Sequence, residues 1–219
     1  MFTYEMLKKD PEVRAYITCA DESLHALGYT EHSFAHVSHV AETAAYLLST
    51  LGYEERTVEL AKIAAYLHDI GNLVNRVDHS QSGAIIAFRI LEHKGLPAEE
   101  IAPIVTAIGN HDEGTGVAVN PIAAALILAD KCDVRRSRVR NADFSTFDIH
   151  DRVNYSVTDS RLELNAACTD LTLSLTIDTA ISPVMDYFEI FLDRMVMCRK
   201  AAEKLGLRFC LLINGQRLF

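Results

Sequence analysis

The sequence has few features of a secreted or membrane protein. Its five cysteines are scattered, odd in number and never spaced Cys-x-x-Cys. We interpret them as small buried hydrophobes of a reducing compartment rather than as disulfides or a zinc knuckle. The longest unbroken apolar run, residues 122–129, is far shorter than the roughly 20 residues that span a bilayer. The polar start MFTYEMLKKDPEVR lacks a signal-peptide core, so we expect a cytoplasmic protein without a membrane partner.

Positive charge is also scarce. The chain carries 21 Lys and Arg against 30 Asp and Glu, which gives a formal net charge of −9. An acidic surface repels a phosphate backbone, so we expect no general nucleic-acid binding, and any phosphate recognition must be local. With 219 residues, of which 49% are hydrophobic, the chain can bury a full core as one domain, with or without a small appendage.

Apolar residues recur at helical spacing up to about residue 140. In the first clear example, positions 37, 40, 44, 47, 48 and 51 form one stripe, and Gly52 supplies the stop. Asn120 and Pro121 make an N-cap and first-turn pair for a later helix. The spacing predicts helices over about 34–51, 54–67, 79–93, 98–110 and 122–138.

After residue 150 the pattern changes to alternation, which predicts strands. Residues 171–177 alternate apolar and polar, and 162–164 do the same across a turn at 168–170. The other predicted elements are a strand over 152–157 that turns at 158–160, a helix from Ser182-Pro183 to Gly206, and a last strand over 209–213. We therefore predict a mainly α fold, with a helical metal-binding domain over 1–145 and a small α/β subdomain over 146–219 packed on it.

His68 and Asp69 follow directly on an apolar helical stripe, so at least His68 should be partly buried. A buried carboxylate is costly unless it is paired or bound to a cation. Taken singly, a buried histidine is more often an ordinary core residue than a ligand. The pair nevertheless has candidate partners on or beside other predicted helices, and a helical bundle can bring such side chains together in its interior. The candidates are His36, His79, His111 and Asp130.

Imidazole and carboxylate groups together suit divalent metals such as Mn, Fe, Co, Ni or Zn, whereas an all-oxygen set would indicate Mg or Ca. The candidate groups outnumber the ligands of one tetrahedral zinc. A site for two metals, with Asp69 as a bridging carboxylate, would use all of them.

The order His36, His68-Asp69, Asp130 resembles the H…HD…D signature of the HD-domain superfamily of metal-dependent phosphohydrolases. The added His79 and His111 resemble the extra ligands of its two-metal variants, which include the HD-GYP proteins. The resemblance covers roughly residues 30–140. After His111 the chain reads Asp-Glu-Gly-Thr-Gly, without a second histidine or Gly-Tyr-Pro, so a cyclic-dinucleotide phosphodiesterase is not supported.

The resemblance implies a specific division of ligands. One metal would be held by His36, His68, Asp69 and Asp130. A second would be held by His79 and His111, with Asp69 touching both metals. We expect two divalent ions, manganese, iron or similar, with Zn, Co and Ni also compatible. Asp69 would be catalytic through them, and a water lying between the metals would be the hydroxide nucleophile.

Basic residues near these ligands are the candidate substrate contacts. Lys131, Arg135 and Arg138 fall at i, i+4 and i+7, a helical stripe that would clamp a phosphate, or else form a solvated face. We assign Lys131 a catalytic as well as a substrate-binding role, because it adjoins Asp130. Arg135, Arg76 and His32 are the other predicted substrate-binding residues.

These patterns leave three functions open. The first is a hydrolase that cleaves a phosphomonoester or phosphodiester, such as a small nucleotide. The second is a di-iron oxygenase of the same superfamily, which the ligand list does not distinguish from a hydrolase. The third is a non-catalytic metal-containing module that binds a ligand or partner. The strand edges of the C-terminal region are compatible with a homodimer.

Overall fold

The structure, a computed structural model, describes residues 2–218 and confirms the mainly α fold. Contacts divide the chain into two compact units, Met1–Asp130 and Lys131–Phe219. The predicted domain boundary falls after residue 145, which is further along the chain than this division. That the second unit packs on the first stays a prediction.

The first unit is built of helices. Its predicted helices are present to within a residue or two at most ends, except for the last. Gly52 and Gly95, at φ +78° and +77°, follow the ends of two of them, a backbone conformation that glycine adopts without steric cost. The helices are α1 (Tyr4–Lys9), α2 (Pro11–Ala26), α3 (Phe34–Thr50), α4 (Glu55–Leu67), α5 (His79–His93), α6 (Ala98–Gly109) and α7 (Pro121–Lys131).

The core of this unit surrounds α4 and α7. Helix α3 packs against α4, α5 packs against α6, and α4 also contacts α6. Residues 122–129 of α7 are buried throughout, as expected for a helix that is apolar on every face. Asp130 therefore lies at the end of a helix that the core holds in place.

Helix α7 ends at Lys131, so its predicted extension to residue 138 is wrong. The backbone is extended at Arg135, with φ −143° and ψ 141°, and residues 136–138 form a single 3₁₀ turn. Asp133 explains the change, because Arg135 Nη2 donates to its Oδ2 at 3.0 Å and Arg138 Nη1 donates to its carbonyl oxygen at 3.0 Å. The basic residues at 131, 135 and 138 therefore do not form a helical stripe.

The second unit contains a small sheet of strand order β1-β2-β3-β4. The β1–β2 and β3–β4 pairs are antiparallel, while β2 and β3 are parallel and are joined by a long helix that packs on β3. The elements are α8 (Ile149–Ser156), β1 (Val157–Leu164), β2 (Asp170–Ile177), α9 (Val184–Lys204), β3 (Arg208–Ile213) and β4 (Gln216–Arg217).

The predicted strand over 152–157 is wrong, as is its turn at 158–160. Asp148 is an N-cap whose side chain accepts from the backbone of Asp151 at 2.8 Å, and this cap starts helix α8. Residues 158–160 belong to β1 instead. The hairpin across 168–170, the long C-terminal helix and the last strand are confirmed. Among residues 2–218, no helix is long and apolar enough to cross a membrane.

Candidate metal centre

The predicted metal ligands come together inside the first unit. Each lies at or near the end of a helix, where a side chain can turn inward without interrupting the helical stripe. All are at most 9% exposed. They are His36 on α3, His68 and Asp69 at the end of α4, His79 at the start of α5, His111 after α6 and Asp130 on α7.

Asp69 lies at the middle of the cluster and presents a different oxygen to each side. Its Oδ2 is 3.1 Å from Nε2 of His68 and 3.6 Å from Nε2 of His36. Its Oδ1 is 3.5 Å from Nε2 of His79 and 3.9 Å from Nε2 of His111. One carboxylate therefore joins two groups of histidines.

Asp130 completes the first of these groups. Its Oδ1 is 3.4 Å from Nε2 of His36 and 3.7 Å from Nε2 of His68. Two overlapping trios have ligand atoms within 4.8 Å of one another, His36 with His68 and Asp130, and His68 with Asp69 and His111. Such donor sets, of imidazole nitrogen and carboxylate oxygen, fit a divalent transition metal.

Backbone carbonyls orient two of the rings. Nδ1 of His68 lies 2.7 Å from the carbonyl oxygen of Ala65, and Nδ1 of His111 lies 2.6 Å from that of Ile108. A carbonyl oxygen only accepts, so we assign the proton of each ring to Nδ1, which donates to it. This assignment turns Nε2 toward the centre of the cluster, the arrangement found in histidines that bind metals.

The Nε2 atoms of His79 and His111 face each other. Nδ1 of His79 lies 3.1 Å from the carbonyl oxygen of Arg76, and its Nε2 is 3.2 Å from Nε2 of His111. With both Nδ1 atoms donating to carbonyls, two lone pairs point at each other. This arrangement is favourable only with a positive charge shared between the rings.

The electrostatics of the centre also favour positive charge. Burial lowers the pKa of His68, but the carboxylates of Asp69 and Asp130 outweigh it and raise that pKa to about 10. Burial raises the pKa of Asp69, but the histidines at 68, 32 and 36 outweigh it and hold that pKa well below its usual value. The carboxylates therefore stay ionised and attract a proton or a metal to the cluster.

Asn72 is a residue of this centre that the sequence analysis missed. Its side chain is buried, and Nδ2 donates to Oδ1 of Asp69 at 3.1 Å and to the carbonyl oxygen of Asp69 at 2.9 Å. Residues 70–73 form a 3₁₀ turn, which brings residue 72 back over residue 69. The signal was an amide side chain three residues after the aspartate, in the segment HDIGN.

Two glycines bring the end of α4 against α5. A Cβ on Gly71 would lie 1.8 Å from the carbonyl oxygen of His79, and a Cβ on Gly83 would lie 3.2 Å from that of His68. Only residues without a side chain allow this approach. The glycines therefore set the separation between the ligands on the two helices.

Two of the predicted substrate contacts lie beside the cluster. The ring of His32 is 5.4 Å from that of His36, and together with Asp69 it lines a cavity of about 10 Å³, the room of one water. Nη1 of Arg76 is 3.2 Å from Nε2 of His79. Lys131 and Arg135 belong to the second unit, so their substrate contacts stay predictions.

The part of the chain that carries this cluster is similar to known proteins. A family model described as HD domain matches residues 33–135, which include every predicted metal ligand. The uncharacterized protein MJ1020 of Methanocaldococcus jannaschii is 29% identical over 160 residues, covering 63% of this chain and 61% of that protein. This chain thus spans about three-fifths of its length.

Among solved structures, a predicted HD superfamily hydrolase from an uncultured Thermotogales bacterium is 27% identical, with a TM-score of 0.44. The match covers 60% of this chain and 73% of that one.

Proposed function

We propose that this chain, whose residues 33–135 match the HD-domain family model, is a metal-dependent phosphohydrolase with two divalent ions. Its substrate would be a phosphomonoester or phosphodiester, such as a small nucleotide. The observation that carries the proposal is the position of Asp69, whose two carboxylate oxygens face different groups of histidines. A single carboxylate so placed is suited to touch two ions.

The proposed ligands divide as the two groups do. His36, His68 and Asp130 would hold one ion, His79 and His111 the other, and Asp69 both. Manganese and iron suit this donor set best, and Zn, Co and Ni are compatible with it. When bound, such ions lower the pKa of water and stabilise the negative charge that develops on a phosphoryl group.

The surrounding residues keep the ligands ready for binding. The carbonyl oxygens that accept from Nδ1 of the histidines fix their rings, and Asn72 fixes Oδ1 of Asp69. Preset ligands lose little entropy on binding, and partners of this kind typically contribute 10- to 100-fold to metal affinity. Burial excludes bulk water and so strengthens each charge interaction in the centre.

Arg76, His32, Lys131 and Arg135 are proposed to contact the substrate. Arg76 is half-buried beside His79, so a guanidinium is available for a phosphoryl oxygen at the edge of the centre. His32 lines the small cavity next to Asp69. Lys131 follows Asp130 directly and is buried, while Arg135 is paired with Asp133.

The test compares Asp69→Asn with Asp78→Asn. Asn at 69 removes the shared negative charge at nearly constant volume, so metal content and turnover of general phosphomonoester and phosphodiester substrates should be lost together. Asp78 is exposed at φ +55°, which asparagine tolerates, and its variant should keep both. Elemental analysis and a chromogenic assay with added Mn²⁺ supply the measurements.

Full metal content and turnover in Asp69→Asn would contradict the proposal. Iron as the bound metal, with oxygen consumption and no phosphate release, would instead indicate the di-iron oxygenase. Bound metal without turnover of any substrate in a broad screen would indicate the binding module.

A further inference from the structure

Arg76 lies against the half of the centre that His79 and His111 form. Its Nη1 is 3.2 Å from Nε2 of His79 and 3.5 Å from Nδ1 of the same ring. Its Cζ is 5.6 Å from the centre of the Tyr29 ring, a cation–π contact on the side chain. A permanent positive charge therefore sits at the nitrogen that the proposed second metal would use.

The guanidinium of Arg76 and a metal on His79 would repel each other. Nη1 is almost equally far from both nitrogens of the ring, so it lies over the face of the ring and not along the in-plane lone pair of Nε2, which faces His111. A metal would use that lone pair. The positive charge of the guanidinium, a few ångströms away, opposes the binding of a divalent ion there.

The backbone of Arg76 has the opposite effect. Its carbonyl oxygen accepts from Nδ1 of His79 at 3.1 Å, which directs the Nε2 lone pair toward the centre. The carbonyl prepares His79 as a ligand, whereas the guanidinium places a repelling charge beside the same ring. Substitution at position 76 removes the second effect and keeps the first.

The side chain of Arg76 lies where it can move away from His79. The residue lies in the segment 74–78 between the 3₁₀ turn and α5, where Val74 and Val77 are 67% and 73% exposed. The arginine itself is half-buried, so its side chain can turn from His79 toward solvent or an anionic ligand. Displacement needs no rearrangement of the helices.

We infer that Arg76 is a built-in competitor for the second metal, so that His79 and His111 bind an ion more weakly than His36, His68 and Asp130 do. Arg76 thereby determines whether the centre holds one ion or two. The inference rests on the proposed function, because it takes the two ligand groups as metal sites. Beyond that function, the inference assigns to Arg76 control over how many of the two proposed metal sites are occupied.

The test titrates the metal-stripped full chain with Mn²⁺ alone and follows free Mn²⁺ by electron paramagnetic resonance. Wild type, Arg76→Met and Arg76→Gln are compared, and both variants remove the charge. The weaker class of sites should tighten at least about tenfold in both, the equivalent of roughly 1.4 kcal/mol. The tighter class should not change. Adding His79→Ala to Arg76→Met should abolish the weaker class, which assigns it to this half.

Arg14→Met is the matched control. Its guanidinium also lies over an aromatic ring, 4.6 Å from the centre of Phe34, and the residue belongs to α2, which carries none of the proposed ligands. It should leave both classes unchanged. Circular dichroism checks that each variant is folded, and either Arg76 variant suffices for the comparison.

The outcomes separate this inference from the proposed function. If the weaker class of sites in a folded Arg76 variant bound Mn²⁺ with unchanged or lower affinity, the inference would be overturned. The hydrolase proposal would stand. One Mn²⁺ in wild type and two in the variants would support it strongly. No Mn²⁺ bound by any form of the chain would overturn both.

Discussion

Each unit of the molecule buries an aspartate, and the two are stabilised by different neighbours. Asp69 in the first unit is 7% exposed and Asp133 in the second is 3% exposed. Around Asp133 lie the guanidinium groups of Arg135 and Arg138, which carry permanent positive charge. Around Asp69 lie imidazoles, which are neutral unless they take up a proton.

The difference shows that a buried carboxylate is not by itself evidence of a functional site. Two arginines compensate the charge of Asp133 within the protein, and their bonds to this residue fix the chain after α7. The histidines around Asp69 carry positive charge only while they hold a proton, and a metal can take the place of that proton at their nitrogen atoms. The identity of the neighbours distinguishes a structural ion cluster from a candidate metal centre.

The largest expected effect comes from breaking the structural cluster. Asp133→Asn removes the negative charge that faces two guanidinium groups, one of them almost fully buried. Loss of one partner from a buried ion pair typically costs 3–5 kcal/mol, and we expect about 3 kcal/mol because Arg135 partly reaches solvent. Urea denaturation measures the loss.

Metal content should stay at the wild-type level in folded Asp133→Asn. A fall in metal content in this variant would mean that Asp133 and Asp69 do not act independently, which would contradict the distinction drawn between them.

The next effect comes from the glycine that holds α4 against α5. A Cβ at position 71 would lie 1.8 Å from a backbone oxygen, so Gly71→Ala must push His68 and Asp69 away from His79. We expect a loss of about 1–3 kcal/mol in unfolding free energy together with weaker metal binding. Gly114→Ala is the control, because a Cβ there meets nothing within 4 Å. Equal metal affinity in the two variants would show that the Gly71 contact does not set the ligand geometry.

A smaller effect is expected at Asn72, which acts on the centre without touching the proposed ions. Asn72→Ala removes the amide that donates to Oδ1 of Asp69, and should lower metal affinity by about 10- to 100-fold with little change in fold. Isothermal titration with Mn²⁺ measures the change. Asn110→Ala, at another side-chain amide that donates to a backbone carbonyl, should leave the affinity as it was.

The sequence located the side chains of this cluster because their positions depend on strong local patterns, and their role as metal ligands stays a prediction. The helical stripes are long and regular, and each ligand lies at or near an end of a helix, where a bundle brings side chains together. The position of Asn72 depends on a 3₁₀ turn, and the role of Gly71 depends on a contact with a distant backbone oxygen. Neither follows from periodicity.

The errors have local causes as well. Residues 122–138 have a helical apolar pattern, but the bonds that Asp133 makes with arginines two and five positions later hold the chain in a different conformation. Residues 152–157 alternate polar and apolar, but the N-cap at Asp148 starts a helix that includes most of them.

Per pH unit, the smallest effect is the pH dependence of metal binding, which follows from the imidazoles of the centre. Burial lowers the pKa of His68, but Asp69 and Asp130 raise it from its ordinary 6.5 to about 10. Protonated His68 therefore stabilises the metal-free protein fully below about 6.5, and this contribution is lost as the pH rises toward 10.

A bound metal displaces that proton, so its affinity should rise about tenfold per pH unit between pH 6.5 and 8.5. The shift in melting temperature on adding Mn²⁺ should grow across this range. The Asp133 cluster, in which a carboxylate faces guanidinium groups instead of imidazoles, should show no such dependence. A shift that stayed constant with pH would mean that His68 is already neutral without metal, so that metal binding releases no proton from it.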